Sequence, residues 1–166
     1  LWSAEGAAGV ECEIAPFKGD AGSLPASIAE ARFVRYTIAD EQNYNFKKGG
    51  PTVLMPDMLD TLARFDMAPR TARPVWVSIA VPQDAAAGIY YSTITISHNG
   101  RGKVKLPLEL EVQNHTLAEP SKWAYHLDLW QHPSAVARAQ GLEMWSDEHF
   151  AALKPLMERL AAAGQK

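Results

Sequence analysis

The clearest pattern in the chain begins at Pro74. Val75, Val77, Ile79 and Val81 occupy every second position, with Trp76, Ser78 and Ala80 between them. Successive side chains of a strand point to opposite faces, so a period of two predicts a strand with one apolar side, and Pro82 ends it. Residues 84–88 supply a turn. Tyr90, Ile94 and Ile96 then line one face of a second strand, with Thr93 and Thr95 on the other. Asn and Gly tolerate the positive φ of tight turns, so His98-Asn99-Gly100-Arg101-Gly102 predicts a hairpin. Beyond it Val104, Leu106, Leu108, Leu110 and Val112 alternate with Lys103, Lys105, Pro107, Glu109 and Glu111. One greasy and one charged face suit a sheet with one side in water. Pro107 lacks a ladder donor, which puts this strand at an edge, or paired on its other side at that point.

Upstream, residues 10–17 and 31–38 read as strands, being rich in Val, Ile, Phe and Tyr between Gly, Ser and Pro breaks. The stretch 40–73 reads as irregular, interrupted by Gly49-Gly50-Pro51, Pro56-Asp57 and Pro69, with at most a helical turn over 57–62. Short antiparallel strands at this spacing predict a mainly β fold, an Ig-like antiparallel β-sandwich over residues 1–117.

The pattern changes in residues 118–166. A polar connector ends at Pro120, and a strand is predicted over 123–130. Trp123, Tyr125, Leu127 and Leu129 share one of its faces; Ala124, His126, Asp128 and Trp130 share the other. Pro133 suits the first position of a short helix ending near Gly141. Ser146 reads as an N-cap, with Asp147 and Glu148 where acids meet the positive end of the helix dipole. Phe150, Leu153, Met157 and Leu160 form one apolar stripe at helical spacing. Pro155 should kink or split this helix, and Gly164 should cap it. One strand with covering helices cannot bury both its faces, so the segment reads as the first unit of a truncated β/α barrel. A last residue Lys166 just past a helix cap is also what a trypsin-like cut or a chosen boundary would leave.

Composition narrows the function classes. The 166 residues are 47% hydrophobic and 21% charged, ordinary for a globular protein. The net charge of −3 and the short, local basic groups Lys47-Lys48 and Arg101/Lys103/Lys105 argue against a nucleic-acid partner. No run of residues is long and apolar enough for a membrane span, and no signal-peptide pattern opens the chain, which starts at Leu1 rather than Met. Cys12 is the sole cysteine, which rules out an internal disulfide or a cysteine metal cluster. It reads as a small apolar residue on the buried face of a strand, with no basic neighbour to activate it.

Two stretches resemble a known family. Arg73-Pro74-Val75-Trp76-Val77-Ser78-Ile79-Ala80-Val81-Pro82, followed by Ala87-Gly88-Ile89-Tyr90, resembles the N-terminal β-sandwich of bacterial glycoside hydrolases similar to family 123. His126-Leu127-Asp128-Leu129-Trp130-Gln131-His132-Pro133, with Trp145-Ser146-Asp147-Glu148-His149-Phe150 after it, resembles the start of their catalytic barrel. The second stretch is the more specific, because His, Asp and Trp together are unusual in a strand. The resemblance implies a longer enzyme, with a sandwich, a β/α barrel and a C-terminal β domain, that acts on terminal β-linked N-acetylgalactosamine. It implies a substrate-assisted reaction in which the acetamido group attacks the anomeric carbon, while an Asp-Glu pair on the barrel orients it and supplies the acid. No position here matches that pair: Asp147-Glu148 is explained by helix capping, and the fragment alone is expected to be inactive. No cofactor is implied, the expected partner is carbohydrate, and the expected address is secreted, periplasmic or on a bacterial cell surface.

Barrel active sites lie at the C-terminal ends of the strands. If 123–130 is the first barrel strand, His126, Asp128 and Trp130 face the lumen, and Trp130 and His132 contact sugar at the pocket rim. The competing reading pairs His126 with Asp128 in a buried hydrogen bond and makes Trp130 core. A metal at His126, Asp128 and His132 is disfavoured, because the spacing crosses a strand end without a fourth ligand. Trp76 and Trp123 read as core or interface residues, and one of Tyr90 and Tyr91 should be buried. Tyr36, Tyr44 and Phe46 flank a polar loop, Asp40-Glu41-Gln42-Asn43, which reads as solvated. Two other functions compete with the enzyme fragment: a stand-alone carbohydrate-binding module, which would need a strip of exposed aromatics, and a structural Ig-like module of a surface protein. The apolar positions Leu127, Leu129, Phe150, Leu153 and Met157 are expected to pack on the sandwich or to drive self-association.

Overall fold

The structure, a computed structural model, describes residues 1–39, 53–99 and 101–165. The loop 40–43, Tyr44, Phe46, Gly49-Gly50-Pro51 and Gly100 lie outside the described residues. Contacts divide the chain into two units, Leu1–Asn114 and His115–Lys166.

Among its described residues the first unit holds eleven strands: β1 (Trp2–Ser3), β2 (Ala7–Ile14), β3 (Phe17–Gly19), β4 (Gly22–Leu24), β5 (Ala29–Ala39), β6 (Val53–Leu59), β7 (Phe65–Met67), β8 (Thr71–Ala72), β9 (Val75–Ile79), β10 (Gly88–His98) and β11 (Arg101–Val112). They make a six-stranded sheet in the order β4-β3-β10-β2-β7, with β11 also on β10, a three-stranded sheet β6-β5-β9, and a small β1-β8 ribbon. Every pairing is antiparallel. β10 is the hub, in register with β11 from Gly88↔Val112 to His98↔Arg101 and with β2 from Ile94↔Ile14 to His98↔Val10. Pro107 of β11 lies opposite Thr93, whose carbonyl accepts the Ala15 N–H at 3.0 Å on the other side of β10, so the missing donor costs no ladder bond there.

The core shows why these sheets face each other. Val10, Phe33 and Met67, from β2, β5 and β7, form one buried cluster, joined by Val75 of β9 and Ile96 of β10. Phe17, Leu24 and Tyr90 form a second, joined by Ile28 and Ile79. Each cluster takes side chains from both larger sheets, which is sandwich packing. Burying a residue such as Phe17 stabilises by about 1.5–3 kcal/mol. Tyr90 is buried and its hydroxyl donates to the Ala86 carbonyl at 2.8 Å, while Tyr91, on the opposite face, is exposed. Cys12 is half-buried and burial raises its thiol pKa, as an inert apolar position requires.

Two sequence expectations in this unit need correction. The region read as irregular, with a helical turn at 57–62, contains strand β6. Pro56 is tolerated because, among the described residues, β6 is an edge strand bonded only to β5. The register slips between Arg35↔Met58 and Tyr36↔Pro56, leaving Asp57 as a bulge. Leu54, Met55 and Met58 are all exposed, so no alternation betrays the strand. Trp76, read as core or interface, is exposed instead, with its Nε1 donating to Ser78 Oγ at 3.1 Å. Just past β6, the buried Asp60 carboxylate accepts from Arg35 Nε at 2.9 Å, Arg35 Nη2 at 2.7 Å and the Leu62 N–H at 3.1 Å. The Arg35 hydrogen bonds hold this carboxyl below the usual range; burial pulls the other way and the Leu62 N–H adds to the lowering.

The second unit holds α1 (Pro133–Gln140) and α2 (Asp147–Ala162). Pro133 opens α1, and Gly141, at φ 65°, closes it in the left-handed region. Ser146 caps α2, its Oγ accepting the His149 N–H at 3.2 Å. α2 is not split: it runs through Pro155 as one element. Gly164 has φ +98°, and a Cβ there would sit 3.0 Å from Trp123 Cε3 and 3.1 Å from Pro120 Cβ. The expected strand at 123–130 has no ladder among the described residues; its one pairing is a parallel bridge from Leu127 to Gln165. A strand is defined by its neighbours, and the helix end offers Leu127 a single residue.

Candidate functional site

The four residues expected at the pocket rim lie in and just after this extended segment. Half-buried Trp123, Leu127 and Leu129 fall on one side of its alternation, and His126, Asp128 and Trp130 fall on the other, exposed. Trp123 stacks on Tyr125, ring centroids 5.2 Å apart, and its Nε1 donates to the Ala118 carbonyl at 2.9 Å. No hydrogen bond joins His126 to Asp128, so the buried-pair reading is not what the structure forms. Trp130 is 89% exposed, an indole held in water rather than in a core. His132 is the N-cap residue of α1, yet its side chain makes no cap bond and is exposed. Gln131, between them, folds back so that Nε2 donates to the Leu129 carbonyl at 2.8 Å.

A groove of about 540 Å³ opens beside this segment. Gln131, His132 and Gln165 supply its polar lining, and Trp145, Phe150 and Met157 are among its apolar walls. All four residues of the stripe predicted on α2 line it, and Phe150 and Met157 are exposed. Within the unit, then, the stripe is only partly covered, although Leu153 and Leu160 are half-buried.

What fixes the groove is a residue whose role sequence reasoning missed. His149 is completely buried. Its Nδ1 accepts the Trp145 N–H at 2.9 Å, so the ring proton must sit on Nε2, which lies 2.9 Å from the Pro133 carbonyl oxygen. With its own N–H on Ser146 Oγ, one residue ties the start of α1, the turn between the helices and the cap of α2. Trp145 sits at φ 68°, uncommon for a bulky residue, and this bond is what holds it there. The available signal was the position: the third residue after the cap, on the buried side of the first turn.

The neighbouring acids do other work. Asp147 and Glu148 occupy the first turn of α2. The Glu148 carboxyl is lowered by its own backbone N–H and then by the Ser146 hydroxyl. A carboxylate held in its charged form suits the positive end of the helix dipole. Among the described residues no group of three or more His, Cys, Asp or Glu side chains is placed to hold a metal ion. Nor, among them, is any helix long and apolar enough to cross a membrane.

Comparison with known proteins places both units. The family model for the Glycoside hydrolase 123 N-terminal domain matches residues 1–98, and that for the Glycoside hydrolase 123 catalytic domain matches residues 130–166. No curated protein sequence matches. Among solved structures, a family 123 glycoside hydrolase from Clostridium perfringens, studied for glycolipid glycan hydrolysis, is similar with a TM-score of 0.85 and 19% identity over 99% of this chain. At that identity the likeness concerns the fold. The chain spans 29% of the length of that protein.

Proposed function

Since this chain belongs to glycoside hydrolase family 123, we propose that its first unit is the accessory sandwich of a carbohydrate-degrading enzyme and its second the opening of that enzyme's catalytic barrel. The observation that carries the reading is Trp130. It stands 89% exposed at the first residue matched to the catalytic domain, at the end of an extended segment rather than inside a core. Barrel enzymes place their chemistry at the C-terminal ends of strands, and an exposed indole there offers a flat apolar face to a pyranose. His132 follows two residues later with unengaged ring nitrogens that suit sugar hydroxyls. His126 and Asp128 share the side of Trp130 and complete the rim. The substrate class we propose is terminal β-linked N-acetylhexosamine, hydrolysed with the help of its own acetamido group. The Clostridium perfringens protein's described action on glycolipid glycans fits that class.

In this reading the chain contributes contacts rather than proton transfer. Asp147 and Glu148 occupy the first turn of α2, with the Glu148 carboxylate held there in its charged form, so in this reading the acid and the residue that orients the acetamido group lie elsewhere in the enzyme. Trp130 and His132 would hold the sugar in one orientation, which lowers the entropic part of the barrier.

The test uses a chromogenic N-acetyl-β-galactosaminide. The 166-residue chain should release no aglycone, whereas the enzyme extended through the barrel should. In that enzyme Trp130→Ala should reduce kcat/KM roughly tenfold to a hundredfold, a loss of about 1.4–2.7 kcal/mol of transition-state stabilisation. Full activity in Trp130→Ala, or turnover by the chain alone, would overturn the assignment.

A further inference from the structure

The first unit carries a cleft of its own. It measures about 630 Å³ and lies between the β3–β4 turn and the start of β10, lined by Lys18, Asp20, Ala87, Gly88, Ile89 and Tyr91 among others. Tyr91 faces outward, 57% exposed. In the sheet it lies directly opposite Lys18 on β3 and Glu109 on β11. Residues opposite one another across strands project from the same face with Cβ atoms about 5 Å apart. The outer face therefore carries an ammonium, a phenol ring and a carboxylate in one row. Among the described residues the ion pairs join Glu30 to Arg32, Arg35 to Asp60, Glu11 to Arg64 and Lys154 to Glu158. Lys18, Asp20 and Glu109 enter none of them.

The cleft is preformed. A Cβ at Gly19 would collide with the Ile89 carbonyl oxygen, so β3 can lie this close to β10 only with glycine there. At the other lip Gly88 sits at φ 154°, and a Cβ on it would come within 3.0 Å of Ala21 Cβ. The β3–β4 turn is thus seated on the start of β10 by close approaches at Gly19 and Gly88, which fixes the floor of the cleft.

We propose that this cleft is a second carbohydrate site, which takes a single hexopyranose residue of a glycan. A pyranose has a C–H face and a rim of hydroxyls that both donate and accept. The Tyr91 ring matches the face. Within the cleft Lys18 donates to hydroxyl oxygens and Asp20 accepts from hydroxyl hydrogens, while Glu109, outside the lining on the far side of Tyr91, offers a further acceptor at the ring's edge. An apolar ligand would leave those charges unmatched, and an anion would meet two carboxylates against one ammonium. The proposal needs no strip of aromatics, since one ring serves one sugar. It is independent of the catalytic reading above.

The experiment is a titration of the isotope-labelled 166-residue chain with methyl β-glycosides of N-acetylgalactosamine, galactose and glucose, followed by amide chemical shifts. The expected result is a saturable shift at Gly19, Gly88, Ile89 and Tyr91 with at least one of the sugars, at millimolar affinity. Tyr91→Ala should weaken it at least tenfold, Tyr91→Phe should hold it within about threefold, and Lys18→Ala should fall between. Tyr91 and Lys18 are exposed, so the amide spectrum of each variant should confirm an intact sandwich. The absence of saturable shifts at these amides overturns the proposal, as does equal affinity in Tyr91→Ala. Shifts confined to Trp130 and His132 would also overturn it while supporting the rim assignment.

Discussion

Replacing His149 separates the two bonds that this ring makes. Its Nδ1 accepts from Trp145 and its Nε2 donates to Pro133, each at 2.9 Å. His149→Ala removes both and leaves a cavity. Two net hydrogen bonds at about 1 kcal/mol each, plus partial collapse around the lost ring, give a cost of about 2–4 kcal/mol to the second unit. The isosteric variants divide the sum. Asparagine places a carbonyl oxygen near the position of Nδ1 and keeps the Trp145 contact; glutamine places an amide N–H near Nε2 and keeps the Pro133 contact. The assay is residue-resolved amide hydrogen exchange. Losing about 2 kcal/mol of protection speeds exchange of the Trp145 N–H roughly 30-fold in His149→Ala, with a comparable loss in His149→Gln and little change in His149→Asn. Nitrogen NMR should find the ring in its Nε2–H tautomer. If Trp145 exchanges at the same rate in wild type and His149→Ala, or if the Asn and Gln variants behave alike, the pinning argument fails.

Three further outcomes follow from the geometry. The Asp60 carboxyl is lowered in the folded state, so its contribution to stability is full above the unfolded carboxylate value of about 3.9 and fades as pH falls through the folded value. The Tm of Asp60→Asn should accordingly lie below wild type at neutral pH and converge with it in acid; parallel curves would rule this out. Gly164→Ala puts a Cβ against Trp123 and Pro120 at a positive φ and should cost the C-terminal turn of α2 about 1–2 kcal/mol, read from faster exchange of the Gln165 amide, which bonds the Leu160 carbonyl at 3.0 Å. Finally, the exposed Phe150 and Met157 should bind anilinonaphthalene sulfonate, and a Phe150→Asp, Met157→Asp double variant should lose most of that fluorescence. Unchanged fluorescence would mean the stripe is covered in solution.

The elements legible in the sequence were those in which burial imposes a period. β9, β10 and the second half of β11 alternate because one face meets the core, whereas Val104 and Leu106 keep the alternation of β11 while exposed; both helices announce their ends through Pro133, Gly141 and Ser146. The resemblance carried by 73–90 and 126–150 agrees with both family matches. β6 was illegible because an edge strand exposed on both faces imprints no pattern, and its proline mimics a breaker. Trp76 was misjudged because hydrophobicity alone does not say which face of a sandwich a strand turns to solvent. The pin at His149 depends on carbonyl and amide positions in the turn and at the start of α1, which no local pattern encodes. Of the rim residues, the sequence supplied the alternation; the exposure of Trp130 needed the fold.

The Pro56 and Asp57 pair on β6 has a bearing on how this protein keeps company. Among the described residues the outer edge of β6 has no partner, and an edge with apolar side chains such as Leu54, Met55 and Met58 is a template onto which another polypeptide can add, the first step toward aggregates. The ring at Pro56 withholds an amide, and the bulge at Asp57 breaks the spacing a newcomer would have to match. The two residues act as gatekeepers of solubility. A chain with Pro56 replaced by valine and Asp57 deleted would present a continuous edge, and its shelf life in concentrated solution should shorten well before its melting temperature changes.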